Sequence, residues 1–145
     1  MTHSHQATAR FTIASWDEHV LVDVETGVVR DDDTYYPTRG FSRAEVSYGY
    51  TGAMVGTGTL AYLISYGPNA APISGFERFV GSIDGREGSL VFRHEGTQHA
   101  GAVEARLTVV DGLGTGDLAA ITGVAHVSIE GQSPEGYEIR FGYDM

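Results

Sequence analysis

Apolar and polar residues alternate in short stretches along nearly the whole chain. In residues 41–50, for example, Ala44, Val46, Tyr48 and Tyr50 are separated by polar or small residues. Side chains of a β-strand point alternately to opposite faces of a sheet, so this period of two predicts a strand with one buried face. The same pattern predicts strands at residues 11–16 (with an extension over 20–24), 57–66, 73–80, 89–94, 103–110, 124–129 and 137–143.

In the first of these strands, alternation predicts Phe11 and Ile13 on one face and Trp16 on the other. Glycine-rich turns separate the strands, and residues 117–121 allow no more than one helical turn. Strands that are this regularly spaced must hide their edges. We therefore expect an all-β fold, an antiparallel closed barrel of about eight strands, with a sandwich of two sheets as the alternative.

Length and composition place the strands in one domain. The chain has 145 residues, no cysteine and no apolar run that could form a membrane helix. Residues 1–8 are polar and are expected to form a disordered tail before a single domain at residues 9–145. The N-terminus lacks the apolar segment of a secretory signal, which favours a cytoplasmic protein. Residues 25–40 are a long polar connection, typical of a lid, a binding loop or a mobile segment.

The charge excludes several kinds of chemistry. All nine basic residues are arginines, so a lysine Schiff base and a lysine general base are both excluded. The formal net charge is −10, which makes nucleic acids and anionic membranes poor partners. The all-arginine set reflects either a GC-rich genome or the need for positive charge at a few fixed positions.

Metal and nucleotide sites are not indicated. The histidines do not have the spacing of a metal site, which needs at least three converging ligands. The G-L-G-T-G run at residues 112–116 imitates a dinucleotide fingerprint, but Asp117 takes the place of the third glycine and Gly123 leaves no room for a crossover helix. We therefore expect neither a metal nor any other cofactor.

The most informative polar residues lie on the predicted strands at 73–80 and 89–94. Glu77 and Arg78 are neighbours, so only one of them points into the barrel. On the next strand, Leu90, Phe92 and His94 form the expected inward set, which leaves Arg93 outside. A carboxyl group beside an imidazole in an apolar interior can move a proton in an isomerisation or cyclisation. The structural alternative is that Glu77 and Arg78 form cross-strand ion pairs that fix the register.

Aromatic residues supply the second candidate feature. Many tyrosines fall on the apolar faces, and an aromatic cavity with a few phenol hydroxyls suits a hydrophobic ligand. The alternative is packing in the core or at an oligomer interface. The predicted catalytic residues are Glu77, His94 and Tyr62. The predicted ligand-binding residues are Tyr48, Tyr50, Phe92, Arg78, Tyr137 and Phe141.

Four longer motifs, in order along the chain, carry a resemblance. They are F-T-I-A-S-W-D-E, G-F-E-R-F-V-G-S-I-D-G-R-E-G-S-L-V-F-R-H-E-G, L-T-V-V-D-G-L-G-T-G-D-L-A-A-I-T-G and Y-E-I-R-F-G-Y. With them the chain resembles a bacterial family of unknown function whose barrel is similar to allene oxide cyclase and dirigent proteins. Ala53, where that family usually has an acidic residue, and the long connection at residues 25–40 depart from the pattern.

The resemblance implies an allene oxide cyclase-like or lipocalin-like barrel that binds hydrophobic small molecules. Several barrels of this kind steer cyclisations without a cofactor, mainly by shaping the substrate. Two functions are therefore expected: a cofactor-independent cyclase or isomerase of specialised metabolism, or a non-catalytic binding or carrier barrel. A barrel with a filled core that serves only in assembly is a third. Apolar positions on several strands indicate a homo-oligomer, either a dimer or a trimer.

Overall fold

A computed structural model describes residues 3–25, 36–131 and 133–145, and the fold is built from nine β-strands. Most of the predicted connection at residues 25–40 lies outside the described residues. Residues 117–121 form hydrogen-bonded turns, and no helix in the described ranges is suited to span a membrane. The strands are β1 (His5–Asp23), β2 (Gly40–Gly52), β3 (Met54–Tyr66), β4 (Ala71–Ile83), β5 (Arg86–His99), β6 (Ala102–Val109), β7 (Thr115–Gly116), β8 (Thr122–Ile129) and β9 (Tyr137–Asp144).

Eight of the strands close into an antiparallel barrel. Each strand from β1 to β5 pairs with the strand that follows it. The remaining pairs are β6 with β8, β8 with β9, and β9 with β1. The two-residue strand β7 pairs only with β5. Closure joins the first and last strands of the sheet, which is the solution expected for a chain of alternating strands, and residues 12–23 of β1 keep one unpaired side. The predicted closed barrel is confirmed, and the alternative of a sandwich is wrong.

The N-terminal segment belongs to the barrel. Residues 5–8 pair with β9, with His5 opposite Tyr143 and Ala7 opposite Phe141. Ala7 is buried, because its small side chain fits beneath the large aromatic groups of β9. The predicted disordered tail over residues 1–8 is therefore wrong for residues 5–8, whose polar composition concealed a strand of the same alternating type.

A β-bulge in β1 reverses the predicted facing of its second half. Ile13 pairs with Tyr48, but Ser15 already pairs with Ser47, so Ala14 is an extra residue on the β1 side. Between this bulge and a second one at Val20–Val22, the residues Trp16, Glu18 and Val20 face the same side as Ile13. The prediction that Trp16 lies on the opposite face from Phe11 and Ile13 is wrong, since alternation holds only where no residue is inserted.

The barrel interior is packed at one end and open at the other. At the packed end, Met54, Ile83, Leu118 and Ile121 are buried, the last two from the connection between β7 and β8. At the open end, β9 pairs with β1 only as far as Phe11, whereas β1 continues to Asp23 along β2 alone. The unpaired side of β1 leaves a gap in the wall, and the interior is accessible there.

Candidate functional site

A cavity of about 590 Å³ occupies the open end of the barrel. Its wall is mainly aromatic and aliphatic, and it lies between the second half of β1, the ends of β2 and β3, and the β5–β6 hairpin. A volume of this size is typical of small-molecule sites in proteins. Side chains that line it include Trp16, Tyr48, Tyr62, Ile64, Tyr66, Ile73, Val103 and Tyr137.

A chain of hydrogen bonds leads from the core to the cavity wall. It is formed by five side chains, which we call the relay: Tyr50, Glu77, His94, Tyr62 and Tyr48. Tyr50 donates its hydroxyl to Oε2 of Glu77. Oε1 of Glu77 lies 2.7 Å from Nε2 of His94, and Nδ1 of His94 lies 2.6 Å from the hydroxyl of Tyr62. The hydroxyl of Tyr48 lies 3.5 Å beyond that of Tyr62. Tyr48 and Tyr62 line the cavity, so the relay connects a buried carboxyl group with the ligand space.

Burial keeps the phenols of the relay neutral. Glu77 is 0 % exposed and His94 is 1 % exposed, and the three tyrosines are buried as well. Removal from water raises the pKa of Tyr62 and of Tyr50 well above the ordinary value, and it raises that of Tyr48 too. At neutral pH each phenol therefore carries its proton and can both donate and accept a hydrogen bond.

Glycines on the inward faces of β3 and β4 make room for the relay. Gly58, on β3, lies next to the carboxyl group of Glu77 and the ring of Tyr50, and a Cβ at this position would overlap the carboxyl group. Gly75, on β4, is the partner of Tyr62 on one side and of His94 on the other. Because Gly75 has no side chain, the phenol and the imidazole can meet across it.

Of the predicted catalytic residues, the structure brings Glu77, His94 and Tyr62 together. Glu77 points inward and Arg78 outward, and on β5 Phe92 and His94 are buried while Arg93 is exposed. The prediction that Arg78 binds a ligand in the barrel is wrong. Its guanidinium lies on the outer face, 3.5 Å from the hydroxyl of Ser89, because its neighbour Glu77 takes the inward position.

The predicted ligand-binding residues divide by depth. Tyr48 and Tyr137 line the cavity. Tyr50, Phe92 and Phe141 face inward but are not part of the cavity wall, and they pack below it. The rings of Phe92 and Phe141 meet edge to face at 5.2 Å, as closely packed core aromatics do. The role of these three as ligand-binding residues stays a prediction, and in the structure their side chains are buried below the cavity wall.

A polar cluster at the cavity mouth escaped the sequence analysis. Glu18 is half-buried and lines the cavity, where its carboxylate accepts hydrogen bonds from the side chains of Trp16, Ser42 and Tyr66. Burial of the Tyr66 ring raises the pKa of Tyr66, and the hydrogen bond that its hydroxyl donates to Glu18 raises it further. Neither glycine nor proline marks the bulge at Ala14 that turns Glu18 inward. No signal in the sequence singled out Glu18, because it stands between Asp17 and His19, where charged residues interrupt the alternation.

The described residues contain no group of three or more histidine, aspartate or glutamate side chains that could hold a metal ion. His94 and Glu77 bind each other, and the remaining bonds of both go to tyrosine hydroxyls. The chemistry that the site offers is therefore hydrogen bonding and proton transfer.

Comparison with known proteins identifies a family but no activity. A solved structure of a protein of unknown function from Shewanella oneidensis MR-1 has 19% sequence identity and a TM-score of 0.67, and the match covers 97% of each chain. Identity this low shows a shared fold alone. No curated protein matches the chain. Residues 7–141 match the DUF3224 family, described as a protein of unknown function, and the chain therefore belongs to the DUF3224 family.

Proposed function

We propose that the barrel binds an apolar small molecule in its open end and catalyses a proton transfer on it without a cofactor, as an isomerase or cyclase. The observation that carries this proposal is the hydrogen-bonded relay that joins buried Glu77, through His94, to the hydroxyl of Tyr62 at the cavity wall. A carboxyl–imidazole pair that orients a third group is a recurring arrangement in acid–base catalysis.

The relay defines the direction of the hydrogen bonds. With Glu77 as a carboxylate, Nε2 of His94 carries the hydrogen that it donates to Oε1, and Nδ1 accepts the hydroxyl hydrogen of Tyr62. The oxygen of Tyr62 then presents a free lone pair toward the cavity. This oxygen is the atom of the relay that we expect to contact the reacting carbon of a substrate.

In the proposed step, the substrate loses a proton from a carbon next to a carbonyl group. The C–H bond breaks as the oxygen of Tyr62 takes the proton, and the original hydroxyl proton of Tyr62 moves to Nδ1 of His94. The imidazolium is held by the Glu77 carboxylate, and return of a proton to another carbon completes the isomerisation. Because the raised pKa of Tyr62 disfavours a free phenolate, both protons move together.

Tyr48 has a different role in the proposal. Tyr48 lines the cavity, and with the hydrogen of Tyr62 directed at His94 its hydroxyl donates to the oxygen of Tyr62 at 3.5 Å. When a substrate binds, this hydroxyl can turn and donate to the oxygen of the substrate carbonyl instead. Its raised pKa keeps the hydroxyl protonated. A donor placed where negative charge develops on an enolate is a large source of catalysis.

A non-catalytic binding or carrier barrel is the second candidate. Every buried polar side-chain atom in the described ranges already has a hydrogen-bond partner, so the relay is complete without a substrate. A fully satisfied network also fixes a unique core. In this case the cavity holds a ligand, and the relay only sets the shape of its floor.

Proton exchange on a ketone probe distinguishes the two candidates. 2-Tetralone, an apolar ketone with acidic carbon-bound protons, is incubated with the protein in D₂O, and loss of the α-proton signals is followed by NMR. We expect the wild-type protein to accelerate the exchange and Tyr62→Phe to reduce the acceleration by about 100-fold, in the range for loss of an acid–base group. The matched control is Tyr143→Phe, which removes a phenol at the packed end.

Binding and exchange, measured together, distinguish the catalytic barrel from the carrier barrel. Binding of the ketone, followed in parallel by tryptophan fluorescence, should be unchanged in Tyr62→Phe. Equal exchange rates in wild-type protein and in Tyr62→Phe would refute the catalytic role of the relay. If wild-type protein binds the ketone without accelerating exchange, the carrier barrel is the correct function.

A further inference from the structure

Glu18 forms a second polar centre of the cavity, separate from the relay. The mouth cluster consists of Glu18, Trp16, Ser42 and Tyr66. Oε1 of Glu18 accepts a hydrogen bond of 2.9 Å from Nε1 of Trp16, and Oε2 accepts the hydroxyls of Ser42 and Tyr66. Three donors from three strands therefore hold one carboxylate in a fixed position beside the entrance.

Within the described residues, no side chain forms an ion pair with this carboxylate. All three donors are neutral. None of the arginines in that part of the chain lines the cavity. A half-buried charge without a counter-charge is costly, and one of its roughly four acceptor sites remains for a further donor. A ligand that supplies a cation would satisfy both needs.

Aromatic rings lie around the Glu18 carboxylate at the cavity mouth. Trp16, Tyr36 and Tyr66 all line the cavity, and the rings of Tyr36 and Tyr66 lie 6.0 Å apart. Faces of indole and phenol rings attract organic cations, and a carboxylate among such rings strengthens that attraction. The net charge of −10 favours the approach of a cation and disfavours that of an anion.

From these observations we infer that the cavity takes an apolar ligand with an amino group, and that the ammonium ion binds at Glu18 among the rings of the mouth. This inference rests on the proposed function and names the substrate class for the same cavity. Tyr62 and Tyr66 are four residues apart on β3, which corresponds to about 13 Å along a strand. The ammonium group of the substrate therefore lies about that far from the reacting carbon, and anionic analogues are rejected.

Three probes with the same frame test the inference. They are 4-phenylbutylamine, which is an ammonium ion at neutral pH, the uncharged 4-phenylbutan-1-ol, and anionic 4-phenylbutanoate. Trp16 is the only tryptophan of the chain and lies at the mouth, so its fluorescence reports binding directly. We expect the amine to bind at least tenfold more tightly than the alcohol, and the carboxylate to bind more weakly than either.

Glu18→Gln removes the charge and keeps a hydrogen-bond acceptor of the same shape. We expect this variant to bind the amine no more tightly than the alcohol, while its affinity for the alcohol stays within a factor of two of the wild-type value. Ser42→Ala is the matched control, since it removes one neutral donor and leaves the charge, so the preference for the amine should persist.

Each failure points to a different error. If the alcohol binds and the amine binds no more tightly, or if Glu18→Gln keeps the preference, the ammonium site is wrong and the apolar cavity stands. If none of the three probes binds to wild-type protein, both the ammonium site and the proposed ligand cavity are wrong. The exchange assay with 2-tetralone, which carries no amine, tests the relay independently.

Discussion

Two clusters in this barrel join a tyrosine to a carboxylate and a basic group, and they differ mainly in their surroundings. In the relay, Tyr50 bonds to Glu77, which also bonds to His94, and all three are buried. At the packed end, Tyr143 donates to Asp84 and accepts a hydrogen bond of 3.0 Å from Arg86.

The packed-end cluster has a structural role. Asp84 is exposed at the tip of the β4–β5 hairpin, and through Tyr143 it ties that hairpin to β9. Among the described residues, no hydrogen bond connects this cluster with the ligand cavity, whereas the relay ends at the cavity wall. Hydrogen bonds of the same kind therefore differ in strength and role between the two clusters. Water screens the bond to exposed Asp84, whereas the bonds of the relay are buried.

Alkaline pH should reveal the largest difference between the phenols of the relay and the phenol of Tyr143, whose ring is buried but whose hydroxyl bonds to exposed Asp84. Tyr48, Tyr50 and Tyr62 have raised pKa values, so they stay protonated when folded, while in the unfolded chain they ionise near pH 10. The unfolded state then binds fewer protons, and stability falls as pH rises above 10. Three such groups give a slope of about 4 kcal/mol per pH unit.

Urea unfolding between pH 9 and 11, followed by circular dichroism, would measure this slope, and the absence of lysine leaves the tyrosines as the main titrating side chains in this window. Tyr62→Phe should flatten the slope by the contribution of one phenol, about 1.4 kcal/mol per pH unit. The pKa of Tyr143 is also raised, but less strongly, so Tyr143→Phe should flatten the slope less. Equal effects of the two variants on the slope would show that water has the same access to the two clusters.

Neutralising Glu77 in the relay should lower the free energy of unfolding more than neutralising Asp84 at the packed end. Glu77→Gln leaves His94 and Tyr50 with a poorer partner inside the core, and we expect a loss of about 3 kcal/mol in the free energy of unfolding. Asp84→Asn is the matched change at the packed end, where asparagine also tolerates the positive φ of 50°. We expect a loss below about 1 kcal/mol there. Urea denaturation at neutral pH gives both values, and similar losses would refute the proposed difference in environment.

The relay can also be disturbed without changing any of its members. Gly58→Ala would place a methyl group against the carboxyl group of Glu77, and we expect a cost of about 1–3 kcal/mol together with slower ketone exchange. Gly49→Ala is the control, because its Cβ would lie 3.6 Å from Thr12 Oγ1 and meet nothing closer. Urea denaturation and the exchange assay give the two readouts. Full exchange activity in Gly58→Ala would mean that the exact position of Glu77 does not matter.

The sequence allowed the relay to be predicted much better than the cavity. Alternation placed His94 on an inward face and showed that only one of Glu77 and Arg78 could face inward with it, although it did not decide which. Depth along the barrel depends instead on register and shear, which alternation does not contain. For that reason Tyr48 at the cavity wall and Tyr50 in the core looked equivalent in the sequence. Glu18 was missed because one inserted residue, Ala14, reverses the facing of the residues after it until a second bulge between Val20 and Val22 reverses it again.

Asp144, near the packed end, provides the smallest expected effect. The backbone N–H of Ser4 and the imidazole of His3 both bond to its carboxylate, and they lower the pKa of Asp144 from 3.8 to about 2. A lowered pKa stabilises the fold above the unfolded value, and that contribution disappears as pH falls toward 2. Because the carboxylate is fully exposed, the contribution is small and should weaken further in salt.

Asp144→Asn should therefore be slightly less stable than wild-type protein near neutral pH, and the two should converge as pH falls from about 4 to about 2. Thermal unfolding over this pH range, at low and at high salt, measures the convergence. The variant should leave ketone exchange unchanged, since the bonds of Asp144 hold the N-terminal residues to β9 and do not reach the relay. Altered exchange in Asp144→Asn would show instead that the packed end and the cavity are coupled, and the separation between the two clusters would not hold.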